Sequence, residues 1–149
     1  MTMTYRHLLV PTDGSARSRR AIAMAVGLAA QCNARVTSIY VVPEGVPTLF
    51  SGDKLYGSGV VSPRVRRRIR KGAAEALDAV AREADKAGVR HASMRTVAHA
   101  PWQAIVRAAR TAHCDLIVMA TQGRRGLAGL GSQTMKTVAH SAVPVLVCR

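Results

Sequence analysis

Aromatic residues are nearly missing from this chain: they make up 3% of it, with one Trp, one Phe and three Tyr. A platform of stacked rings for unpaired bases is therefore excluded, and the core has to be aliphatic. Acids are scarce as well, eight Asp and Glu against 22 Lys and Arg. The cysteines, Cys32, Cys114 and Cys148, are odd in number, far apart and in no metal-ligand spacing. Buried, reduced thiols are expected of them. The longest apolar stretch, residues 21–30, is too short to span a membrane. The first residues run into a strand without a signal-type apolar region, so a soluble cytoplasmic protein is expected.

Chemical signatures are missing too. No glycine loop ends in Gly-Lys-Ser or Gly-Lys-Thr, so there is no complete P-loop, and no dinucleotide fingerprint follows the first strand. His7, His91, His99, His113 and His140 show no zinc spacing, and no metal site is expected. Ser15 does not lie in a nucleophile elbow.

What is present begins with charge: a formal +14 and a pI near 11.4. Such a field attracts nucleotides, nucleic acid or acidic membranes, without choosing among them. At 149 residues and 48% hydrophobic content, one globular domain over 1–149 is expected.

The apolar pattern then sets the elements. Residues 7–10 form a buried strand ended by Pro11, and Thr12-Asp13-Gly14-Ser15 supplies turn and capping chemistry. An Ala-rich helix follows to about Cys32, with Ile22, Met24, Val26 and Leu28 as its apolar residues and Asn33 at its end. Residues 35–42 are a second buried strand stopped by Pro43, which makes a right-handed βαβ unit. Residues 44–62, rich in Gly and without periodicity, read as a mobile insert loop. From Pro63 a long helix keeps Val65, Ile69, Ala73, Ala76, Leu77, Val80 and Ala84 on helical spacing. Its first turns carry Arg64, Arg66, Arg67, Arg68, Arg70 and Lys71, a solvated charged face in the plainer reading and a polyanion contact in the sharper one.

Residues 90–97 are a more polar third strand, and Pro101 opens a helix burying Ile105, Val106 and Ala109. Residues 115–119 are a fourth buried strand. The segment from Ala120 to Ser132 follows, with Gly123, Arg124, Arg125, Gly126, Gly129 and Gly131, and Ser132 is placed to cap a helix reaching about Ser141. Residues 143–148 close the chain as a strand. The tally is an α/β fold: an open, doubly wound, mostly parallel five-stranded sheet in the order 3-2-1-4-5, with helices on both faces. In such sheets ligands bind where the strand order reverses, here between strands 1 and 4. Residues 11–13 and the glycine loop converge there as an anion cradle.

Together, Leu8-Leu-Val-Pro-Thr-Asp-Gly-Ser15, Val41-Val-Pro-Glu44, Asp115-Leu-Ile-Val-Met-Ala120, Gly123-Arg-Arg-Gly126 and Ser141-Ala-Val-Pro-Val-Leu-Val147 resemble the universal stress protein family. The resemblance covers essentially the whole chain. It implies a flavodoxin-like sheet of the adenine nucleotide alpha hydrolase-like type and a homodimer through the last strand, with Val143, Val145, Leu146 and Val147 at the edge. Some family members bind ATP through Gly-x2-Gly-x9-Gly-Ser/Thr. Here Ala120 replaces the first glycine, and seven residues rather than nine separate Gly123 from Gly131-Ser132. Carried over, Asp13 and Val41 would meet adenine and ribose beside Pro11, Thr12 and Met119. Ala120, Gly123, Arg124, Arg125, Gly126, Gly131, Ser132 and Gln133 would line the phosphates.

The resemblance thus implies a stress-response module binding ATP or another adenine nucleotide, with or without Mg²⁺. Asp13 and Asp115 are the only acids near the crevice and fall at opposite strand ends, so no general acid/base pair is present and no enzyme is expected. Two other readings stay open. One is a dimeric interaction module that docks a protein partner through the loop 44–62 and the helix 63–87. The other is a polyanion or nucleic-acid binder through residues 64–71, disfavoured by the lack of aromatics but allowed by the charge.

Overall fold

A computed structural model describes residues 3–44, 62–121 and 131–149. Its elements are β1 (His7–Pro11), α1 (Ala16–Cys32), β2 (Arg35–Pro43), α2 (Pro63–Lys86), β3 (His91–Ala98), α3 (Pro101–Thr111), β4 (Leu116–Ala120), α4 (Ser132–His140) and β5 (Val145–Cys148). Every strand pairing is parallel and the order is β3-β2-β1-β4-β5. The doubly wound sheet expected from the sequence is the one observed. The insert loop expected at 44–62 falls almost wholly outside the described residues.

Parallel strands covered on both faces read as unbroken apolar runs. In β1, Leu8, Leu9 and Val10 are all fully buried, and alternate residues serve opposite faces. Leu8 and Val10 join Val36, Leu116 and Val118 under α1 and α2, through Ile22, Ala25, Val26, Ala29, Val80 and Ala84. Leu9 joins Ile39, Ile117 and Met119 under α3, through Ile105, Ala108 and Ala109. Small Ala side chains at these contacts let the helices sit close to the sheet. Each Leu or Ile so buried contributes roughly 1.5–3 kcal/mol.

The ends of α1 and α2 follow capping rules. Ser15 is the N-cap of α1, its hydroxyl accepting the Ser18 N–H, and Asn33 closes the helix in the left-handed region at φ 53°. Ser62 caps α2 by accepting from the Val65 amide. The α2 C-cap is Ala87, with Gly88 following at φ 66°.

Several boundaries differ from the sequence reading. Pro43 is the last residue of β2 rather than a stop before it, opposite Ala98, whose carbonyl accepts the Glu44 N–H. Met24 is 53% exposed, because the buried stripe of α1 runs through Ser18, Ala21, Ile22, Ala25, Val26 and Ala29. Likewise α3 buries Ala104 and Ala108 beside Ile105 and Ala109, leaving Val106 half-buried. Of the cysteines only Cys114 is buried; Cys32 and Cys148 are half-buried.

Candidate functional site

The switch point lies between β1 and β4, and strand register shapes it. Pro11 pairs with Ile39, while β2 continues to Pro43, so Val41 stands beyond the end of β1. Leu9 pairs with Ile117, which places Met119 level with Pro11 and Ala120 level with Thr12. Val41 and Met119 lie on the same sheet face, against the cluster under α3. An apolar wall on either side of the β1 terminus results.

At that terminus the chain turns tightly. The buried Thr12 donates its N–H to the Ile39 carbonyl at 3.0 Å, and its hydroxyl accepts the Gly14 N–H at 3.2 Å. Gly14 adopts φ 79°, a conformation that side chains resist. Asp13 is half-buried, and its Oδ1 accepts the Ser15 N–H at 2.9 Å and the Ser18 hydroxyl at 2.7 Å. The carboxylate is therefore both part of the turn that starts α1 and a fixed negative group on the crevice rim.

On the β4 side, Thr121 and Gly131 are drawn together, the Gly131 N–H donating to the Thr121 carbonyl at 2.6 Å. Thr134 donates its hydroxyl to the Ala120 carbonyl at 2.9 Å, which seats α4 on the end of β4. Between these anchors, Gly123, Arg124, Arg125 and Gly126 lie outside the described residues. The ends of the glycine segment thus meet at the crevice.

One capping assignment from the sequence needs correction. Ser132 is not the cap of α4: Gly131 is the N-cap, no side-chain cap bond forms, and the exposed Ser132 is the first helical residue. Gln133 also makes a bond within the fold, its Oε1 accepting the Trp102 N–H at 3.0 Å. That bond supplies the start of α3, where the cap residue Ala100 has no side-chain acceptor. The edge assignment also shifts. β5 begins at Val145; Val143 precedes it, held in a turn by the Ser141 hydroxyl and packed inward under α3.

Asp115 is held at the far end of the sheet, its two carboxylate oxygens accepting the Arg6 and His7 N–H groups at 2.8 and 3.1 Å. It closes β1 against β4 and is remote from the crevice. Among the described residues no group of His, Cys, Asp and Glu could hold a metal ion, and no helix is long and apolar enough to cross a membrane.

A family model, the universal stress protein family, matches residues 4–149. A universal stress protein of Methanocaldococcus jannaschii is 33% identical over 148 residues, spanning 97% of this chain and 82% of its own length. Among solved structures, a universal stress protein from Lactobacillus plantarum superposes with a TM-score of 0.80 at 24% identity, covering 99% of this chain and 100% of the other. Another universal stress protein, solved in complex with cAMP, gives a TM-score of 0.70 at 25% identity over 99% and 98% of the two chains.

Proposed function

Because the chain belongs to the universal stress protein family, we propose that it is a non-catalytic regulatory module of the stress response that binds an adenine nucleotide between β1 and β4. The observation that carries this reading is Asp13, a carboxylate fixed at the switch point by the Ser15 amide and the Ser18 hydroxyl. Such a group accepts hydrogen bonds from an adenine amine or a ribose hydroxyl. Val41 and Met119 offer apolar flanks to the base. The first turn of α4, without a side-chain cap, offers N–H groups to phosphates. The relative solved with cAMP supports an adenine nucleotide as the ligand class. Mg²⁺, if used, arrives with the phosphates.

Catalysis has no part in this reading: Asp115, the other acid that the sequence placed near the crevice, is engaged at the opposite end of the sheet by the Arg6 and His7 amides. The module acts as a homodimer through the β5 edge. The test is titration calorimetry with ATP, ADP and AMP, with and without Mg²⁺. Binding that survives added salt and is lost in Asp13→Ala, while Asp13→Asn keeps the fold, is the expected result. Absence of binding by all three nucleotides would overturn the proposal.

A further inference from the structure

The basic start of α2 lies outside the proposed nucleotide site, and its charge pattern runs against what a helix favours. Arg64, Arg66, Arg67, Arg68, Arg70 and Lys71 are all exposed, while Glu75, Asp78, Glu83 and Asp85 lie farther along the same helix. This segregation opposes the helix dipole, which favours acids in the first turn and bases in the last. Arg64 and Arg68, Arg66 and Arg70, and Arg67 and Lys71 also stand four residues apart, a spacing at which like charges repel. Lys71 lies 3.9 Å from Glu75, but both are well exposed and the contact carries little weight.

The fold enlarges this cluster. α1 packs beside α2 on the same face of the sheet, and its exposed first turns add Arg17, Arg19 and Arg20. Both helices start at the carboxyl end of the parallel sheet, so the two groups share one rim. None of the helices has an acid in its first turn, although Asp13 stands just before α1.

We infer that this rim binds the phosphate backbone of double-stranded nucleic acid without sequence preference. Charge density favours that partner. Arg64, Arg67, Arg68 and Lys71 fall within about 100° of arc on one side of the helix, four cations over about 10 Å of axis or roughly one per 3 Å, and each strand of a DNA duplex carries about one phosphate per 3.4 Å. Guanidinium groups match phosphate oxygens in bidentate geometry. A bilayer is a poorer fit, because Val65 is buried and Ile69 half-buried, leaving no exposed apolar side chain within the cluster to insert. Backbone contacts need no stacking rings, so the scarcity of aromatics does not bear against a duplex. The inference is independent of the crevice.

The experiment uses fluorescence anisotropy with two unrelated DNA duplexes of about 30 base pairs, titrated between about 50 and 200 mM salt. The full chain is compared with Arg64→Gln/Arg67→Gln/Arg70→Gln. A control, Arg82→Gln/Arg90→Gln/Arg110→Gln, removes the same charge from exposed positions away from the rim. Both duplexes should bind alike, and affinity should fall roughly a thousandfold across that salt range. The rim variant should lose about one unit of log–log salt slope per cation removed, and the control should keep the wild-type slope. The rim variant should also melt no lower than wild type, since it relieves repulsion. No binding at the lowest salt, equal weakening by both triple variants, or tighter rim-dependent binding to phosphatidylglycerol vesicles or polyglutamate would each overturn the inference.

Discussion

The side-chain oxygen of Gln133 accepts the Trp102 amide N–H at 3.0 Å, so the first turn of α4 closes the open end of α3. The pairing is reinforced at the other end of α4, where the His140 ring lies 4.5 Å from the Trp102 ring, centroid to centroid. The two helices are thereby joined through Trp102. Replacing Gln133 with Ala removes an acceptor from a helix start and should cost about 1 kcal/mol. Gln133→Glu keeps the acceptor and adds a charge that the helix start favours, and should be no less stable. Chemical denaturation measures both. Nucleotide affinity should fall in Gln133→Glu, whose charge repels phosphates at the start of α4, and change little in Gln133→Ala; a large loss in Gln133→Ala would place the Gln133 side chain on the phosphate path.

The contrast between Gln133 and Asp13 shows what the sequence could reveal. Asp13 sits in a local turn, where its partners Ser15 and Ser18 are two and five residues away, and a strand end followed by turn chemistry is legible in one dimension. The buried strands were legible for a related reason: runs such as residues 116–119 need apolar groups on both faces. Gln133 and Trp102 are 31 residues apart, and Asp115 reaches back 109 residues to the Arg6 amide. Nothing in local spacing marks such partners. Met24 is exposed because hydrophobicity says that a side chain prefers burial, not that the packing has room for it, whereas Val143 errs the other way, an expected edge residue that packs inward. Met24 falls outside the buried stripe of its helix, and Val143 turns inward before the edge strand begins.

His7 predicts an acid limb. It is 6% exposed, with Nε2 2.7 Å from the Thr37 hydroxyl. Burial first, and the positive charge of Arg35 second, hold its pKa below the ordinary 6.5. The unfolded chain therefore takes up a proton from about pH 6.5 downward while the folded chain resists it. This contribution to stability is complete above that pH and is lost as pH falls toward the folded pKa. Melting temperature measured against pH should decline below about pH 6.5, above the range where carboxylates ordinarily titrate. The same limb should flatten in His7→Gln, which keeps a hydrogen-bonding side chain but does not titrate. An unchanged limb in that variant would assign it to other groups.

The thiols should react in an order set by burial. Cys114 is 5% exposed, and its pKa is pushed up to about 11 by burial and then by the nearby negative charge of Asp115. Since the thiolate is the nucleophile, a maleimide at mildly alkaline pH should leave Cys114 unmodified until the chain unfolds. Cys148 is half-buried and its pKa is also raised by burial, so it should label slowly in the native protein. Mass spectrometry of peptides along a labelling time course resolves the sites. Native labelling of Cys114 at the rate of Cys148 would show that the core under α3 opens far more readily than its packing implies.

The β5 edge supplies the last prediction. Edge strands present unpaired backbone groups that invite another strand, and a second copy of the same chain satisfies them symmetrically. Apolar side chains stand at this edge: Leu146 on β5 is 37% exposed, and Met135 and Val138 on the adjoining α4 are 57% and 47% exposed. The opposite edge, β3, is more polar, although its Val97 is 59% exposed. A charge placed among the apolar groups of an interface has to be desolvated or expelled, whereas at a free edge it stays in water. Leu146→Lys should therefore shift the protein from dimer to monomer in sedimentation velocity, and Val97→Lys should leave it dimeric. The reverse result would place the interface on β3. Monomers for the unmodified chain at high concentration would remove the dimer altogether and leave the exposed groups of α4 without a partner copy.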